Sequence, residues 1–124
     1  MAAPNIVNVS AIYGKVVTAD LTTTAATSVL SNASSSGKVF KVDSLVVANI
    51  DTANAVNVTV SHYSAAAIGG TATPIASTIS IPANSSLIVI DKTTMIYLEE
   101  NMSIGATAGT SSKLKVVCSY EDIS

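Results

Sequence analysis

Val56-Asn57-Val58-Thr59-Val60-Ser61-His62-Tyr63 alternates apolar and polar residues. Successive side chains of an extended chain point to opposite faces, so Val56, Val58, Val60 and His62 share one face. Asn57, Thr59, Ser61 and Tyr63 share the other. The stretch reads as a strand with one face in a core. Lys113 to Glu121 repeats the pattern: Leu114, Val116, Cys118 and Tyr120 lie together, with Lys113, Lys115 and Glu121 opposite. Working outward, Val39 to Ile50 predicts a longer strand, with Phe40, Val42, Val46, Ala48 and Ile50 on one face and Lys41, Asp43 and Asn49 on the other. Asp51-Thr52-Ala53-Asn54 is a turn, expected to fold this strand back on the Val56 strand as a hairpin. Ser77 to Ile81 places Ile79 and Ile81 together. Pro82 to Ser85 turns into a short buried strand at Leu87 to Asp91. Met95 to Leu98 and Met102 to Thr107 flank a Glu99-Glu100-Asn101 turn, and Ala108 to Ser112 is a loop. Ile6 to Ile12 and Lys15 to Leu21 read as strands broken at Gly14, and Thr24 to Leu30 as another entering a Ser31 to Gly37 loop.

No window sustains a helical apolar stripe. Ala65 to Ile68 is stopped by Gly69-Gly70 and reads as a hairpin tip. About eight to ten short strands with closely spaced turns predict an all-β fold. The expected architecture is a single-domain antiparallel β-sandwich over residues 1–124, jelly-roll or immunoglobulin-like. Residues 1–12 are read as an N-terminal arm, because Met1 to Asn5 has no packing pattern.

Composition narrows the function. The chain has 124 residues, 48% of them apolar and 11% charged. An average soluble domain carries roughly 25% charged residues. Ala, Ser and Thr number 18, 18 and 14, the aromatics number five, and all six basic residues are Lys. Disorder is excluded by the hydrophobicity and the small net charge of −2. Nucleic-acid binding is not expected without Arg or a basic balance. One cysteine cannot build a disulfide or zinc framework. The opening residues have neither a basic nor an apolar signal region, so a secretion signal is not expected. No apolar run approaches membrane-spanning length, and five aromatics cannot form the two girdles of a membrane barrel. The sequons at Asn8, Asn32, Asn57, Asn84 and Asn101 are read as a product of composition.

Candidate chemistry is sparse. His62 and Cys118 are the only imidazole and thiol, so a Cys–His pair is the one nucleophile to consider. Both fall on apolar strand faces; Cys118 is read as a core residue and His62, at a strand end, as an ordinary capping or edge residue. Glu99-Glu100 and Glu121-Asp122 are adjacent pairs whose members point apart, so a calcium site there is not expected. Tyr13, Tyr63, Tyr97 and Tyr120 are read as packing residues. Gly69-Gly70 lacks the Lys and helix of a phosphate loop. The expectation is no enzyme, no catalytic or metal residues and no cofactor. So few charges on a domain with a thin aliphatic core imply a surface covered by neighbouring subunits.

Met1 to Ser10 with Ile12 to Lys15 resembles small virion structural proteins of marine tailed phages, cyanophages in particular. Ser36 to Asp43 with Val47 to Asn49, Ser77 to Ala83, Ile96 to Glu100 and Val116 to Ser124 extend the resemblance over nearly the whole chain. Such proteins often carry Gly-Asp after the Leu-Glu-Glu stretch; here Asn101-Met102 stands there. The resemblance implies a β-sandwich in the virion, made in host cytoplasm. It implies a homo-oligomer, as a trimer at three-fold points if it is a capsid decoration protein. Its partners would be the major capsid protein or neck and tail subunits. A neck, tail or fibre component is the alternative. A glycan-binding module using loops Ala65 to Thr73 and Ala108 to Ser112 is the alternative of another class.

Overall fold

The computed structural model describes residues 4–124. Nine strands form: β1 (Ile12–Leu21), β2 (Thr27–Asn32), β3 (Val39–Asn49), β4 (Val56–Ala65), β5 (Gly69–Ile81), β6 (Ser86–Ile90), β7 (Ile96–Leu98), β8 (Met102–Ala108) and β9 (Leu114–Ile123). They lie in two antiparallel sheets. The first has the order β1-β9-β3-β6, and the second β2-β8-β4-β5. β6 pairs with Leu45 to Ala48 of β3, and β7 pairs with Phe40 to Val42, so β6 and β7 form one edge strand broken by a turn.

This order resolves the two expected topologies. Counting the broken edge as one strand, the sheets read 1-8-3-6 and 2-7-4-5. That is the interleaved double Greek key of a jelly roll. An immunoglobulin sandwich pairs its first two strands in one sheet, whereas β1 and β2 here lie in different sheets. Most connections therefore cross between sheets. Within a sheet, only the β4–β5 hairpin and the β6–β7 break join consecutive strands.

The core between the sheets is aliphatic. Leu45, Val47, Leu114, Val116 and Cys118 from one sheet face Val56, Val58, Val60, Ile104 and Ala106 from the other, all buried. Phe40 and Tyr120 add a tilted ring pair with centroids 5.1 Å apart. The face assignments for β4 and β9 hold. Those for β3 hold only as far as Val42. Beyond it, Asp43 has no partner on β9, since Val42 pairs with Tyr120 and Ser44 with Ser119. One extra residue inverts the alternation. Leu45, Val47 and Asn49 then face inward, while Val46 and Ala48 face outward and Ile50 is exposed.

Other expectations are corrected too. The Asp51 turn does not close a β3–β4 hairpin but carries the chain from one sheet to the other. Asp51 Oδ1 accepts the Ala53 and Asn54 N–H groups at 2.9 and 3.1 Å, and such an Asx turn leaves the pairing of the next strand open. Residues 6–11 form no strand, and Gly14 does not interrupt β1. The Leu87 segment lies at a sheet edge and leaves Ile88 exposed. β5 is a long edge strand with three register shifts against β4, and Ile79 is exposed.

Two buried asparagines tie the sheets together, one at each end. Asn32 of β2 donates to the carbonyls of Lys38 and Leu98 at 2.9 and 3.0 Å and accepts from Ser36 Oγ at 2.6 Å. Asn49 of β3 donates to the carbonyls of Asn54 and Ile81 at 3.0 and 2.9 Å, and its Oδ1 accepts the Asp51 N–H at 2.9 Å. Each amide satisfies backbone groups where a connection crosses between sheets, which burial would otherwise leave unpaired.

Of the expected arm, residues 1–3 lie outside the described residues. Ser10 and Ala11 donate their N–H groups to the Ser124 carbonyl, and Ser124 donates to Ala11. Ile12 already belongs to β1.

Candidate functional site

The Cys–His pair is dispersed. Cys118 sits on β9 with its side chain fully buried in the core, and His62 lies on β4 of the other sheet. Burial, reinforced by the Asp43 charge, pushes the Cys118 thiol up to about 12. A thiol held neutral in an apolar core is a packing group.

The acidic pairs separate as well. Glu99 borders an open depression of about 270 Å³ with Pro4, Ile6, Val39 and Tyr97. Glu100 Oε2 accepts the Gly37 N–H at 3.3 Å. Glu121 pairs with Lys41 at 3.6 Å on the outer face. Asp122, 2% exposed, accepts from Lys15 at 2.7 Å and Lys38 at 3.3 Å. Burial raises its pKa, but the bonds and charges of the two lysines outweigh that and hold it below the ordinary carboxylate range. Among the described residues, no three His, Cys, Asp or Glu side chains converge as metal ligands would.

The sheets present two different outer faces. On the β2-β8-β4-β5 sheet, the tip of the β4–β5 hairpin folds back over the strands. Ile68 N–H donates to Ser103 Oγ at 2.8 Å, Ala67 N–H to Ser31 Oγ at 2.9 Å, and Ala66 N–H to Asn101 Oδ1 at 3.3 Å. Ser103 Oγ in turn donates to the Ala65 carbonyl at 2.7 Å. Gly105 lies beneath the tip. A methyl there would come within 2.7 Å of Ile68 Cγ2 and 2.9 Å of Tyr63 Cε1. Ala67 and Ile68 hold φ of 55° and 54°, left-handed values unusual for Ala and strained for a β-branched residue. The Ala65 to Thr73 loop, which the glycan-binding alternative would use, thus has three consecutive N–H groups bound within the fold.

The outer face of the β1-β9-β3-β6 sheet is open. Pairing places Thr18, Val117, Val46 and Ile88 in a row across it, with Val16 in the next row. Val16 is 64% exposed, Ile88 63% and Val117 46%. Two ion pairs flank this apolar strip along the strands, Lys41–Glu121 on one side and Lys115–Asp20 at 3.0 Å on the other. One end of the face is capped by the chain itself. Val39 faces outward by register yet is 5% exposed, and it shares the depression with Pro4 and Ile6. Sequence reading missed this strip because the Asp43 bulge put Val46 on the wrong face. The Lys115-Val116-Val117 alternation was its one legible part.

No family model and no curated protein matches the chain. Among solved structures, it is similar to a chain of the cyanophage Pam1 capsid asymmetric unit. The two share 17% identity over 99% of this chain and 91% of that one, with a TM-score of 0.39. A likeness of that degree carries no argument about role, and the strand order establishes the fold by itself.

Proposed function

We propose that the chain is a non-enzymatic structural subunit of a phage virion, and within it a capsid decoration protein that binds the assembled head. The observation that carries this reading is the open apolar strip of Val16, Val117, Val46 and Ile88 on a domain with only 14 charged residues. A surface so poor in charge favours burial against other subunits. Four ion pairs engage seven of those charges within the fold, which leaves fewer to solvate the surface. The jelly roll suits the role, since viral capsid domains are among those built on it, although a fold alone does not assign a function. The subunit acts by contact: it favours the assembled shell by binding it and not its dissociated parts. Its partners are other virion proteins, the major capsid protein foremost and copies of itself.

The test is sedimentation of the purified protein with assembled phage heads. Saturable binding that raises the heads' melting temperature, and its loss in Val117→Lys, supports decoration. Binding to tails or necks but not heads moves the subunit to the tail. No binding to either overturns the virion reading. The exposed Tyr97, beside Glu99 and Pro4 at an open depression, is a feature that favours glycan recognition. Glycan-array binding lost in Tyr97→Ala would replace the proposal.

A further inference from the structure

Four strand positions border the two sheets, and three of them are obstructed. The β6–β7 edge is broken by the Asp91 to Met95 turn. β5 carries Pro74 and three register shifts against β4. β2 is six residues long, with a shift at Val29. Shortness, bulges and proline are the devices that keep sheet edges from pairing with other chains. β1 has none of them. Its ten residues, Ile12 to Leu21, pair with β9 in unbroken register, and no proline or bulge interrupts it. Among the described residues, chain neighbours aside, nothing lies within 4 Å of the space a side chain at Gly14 would fill.

The remaining guard of an edge is charge, and β1 has turned its charges away. Lys15 and Asp20 are its only charged residues. Lys15 Nζ reaches back to Asp122 at 2.7 Å, and Asp20 Oδ2 to Lys115 Nζ at 3.0 Å. Both partners belong to β9, on the side away from the open edge. The free edge therefore presents unpaired backbone groups beside Ile12, Tyr13 and Val16, all exposed.

We propose that β1 is a self-pairing edge, at which a second copy of this chain adds its own β1 antiparallel across a two-fold axis. The occupant is a strand, because only extended backbone satisfies a row of free N–H and C=O groups. It is a second β1 because the chain's other edges are obstructed, and pairing like with like closes as a two-fold dimer. A two-fold at Val17 sets Lys15 opposite Ala19 and Gly14 opposite Asp20, so no like charges oppose each other. The apolar strip then continues from one copy into the next. This dimer stands in place of the trimer implied at the sequence level, and it holds or fails independently of the decoration role.

The test is the mass of the purified protein by light scattering across a concentration series, with Val16→Pro and Val17→Pro beside the parent. Consecutive N–H groups of a strand point to opposite sides. One proline therefore removes a bond to β9, and the other blocks only the open edge. The expected result is a dimer in the parent, and in one of the two variants a monomer whose melting curve matches that of the parent diluted until it too is monomeric. A parent monomeric throughout, or a dimer that survives in the variant that keeps the parent's melt, overturns the proposal. If both variants unfold, amide exchange in the parent decides. Open-edge amides of β1 as protected as the ladder amides support pairing, and rapid exchange at every second residue overturns it.

Discussion

Asn49 shows how much one side chain does in this fold. Its amide binds backbone from three places: the carbonyls of Asn54 and Ile81, and the N–H of Asp51. Removing it leaves buried carbonyls without donors, which costs more than the bonds themselves contribute. Asn49→Ala is expected to lower unfolding stability by about 2–4 kcal/mol in urea titration; a loss under about 0.5 kcal/mol would remove it as a tie between sheets. Asn32 is its counterpart at the other end, and its burial leaves that sequon no surface for a glycan. Cys118 predicts the alkaline limb of stability. Its folded pKa stands above the unfolded value, so its contribution is present below about 8.5 and lost as pH climbs towards about 12. At pH 8 the folded thiol is expected to resist alkylation, with labelling limited by unfolding; rapid labelling of the native protein would place it at the surface. Asp122 predicts the acid limb with the opposite sign. Its pKa is lowered in the fold, so its contribution is present above the unfolded value near 3.9 and lost as pH falls through the folded one. Asp122→Asn should flatten the acid dependence of the urea midpoint. Asp51 and Asp91, lowered by hydrogen bonds from Ala53 and Asn54 and from Thr93 and Thr94, would supply what remains. An unchanged acid profile would count against the Lys15 and Lys38 pairs.

The β4–β5 hairpin is the element that departs furthest from its local sequence. Gly69-Gly70 marked a tip correctly, but the tip does not project into solvent. It lies on Gly105, held by Ser31, Asn101 and Ser103. Two consecutive left-handed residues, Ala67 and Ile68, are the conformational cost of that fold-back. Gly105→Ala is expected to cost about 1–3 kcal/mol by driving a methyl into Ile68 and Tyr63. Adding Ile68→Ala should recover part of that loss, because it removes the nearer clash. A strictly additive double variant in thermal melts would show that the tip does not rest on Gly105. The β3 bulge teaches a related lesson. Phe40, Val42, Val46 and Ala48 fit one alternating face on paper. The register slips at Asp43, and the second half of the strand turns its other side to the core.

At the scale of the whole molecule, one core lies between two sheets. Of the described N-terminal residues, Ser10 and Ala11 bond to Ser124, and Pro4 and Ile6 border Val39 on the outer face. Deleting residues 1–9 is expected to lower stability by roughly 1–2 kcal/mol through exposure of apolar surface, with the urea transition remaining single. A variant as stable as the full chain would show that the segment contributes nothing. The all-β class, most of the strands and the inward faces of β4 and β9 followed from alternation in the sequence, because period two is a local property of extended backbone. Asn101 closes the Glu99 to Asn101 turn with φ of 58°, a left-handed value that Asn tolerates. The jelly-roll order, the crossing at Asp51 and the open strip beside β1 were decided by the tertiary structure alone. Each depends on which strand lies beside which, and that is set by distant residues burying one another. A turn limits where the chain can go next, but the shared core chooses the sheet it joins.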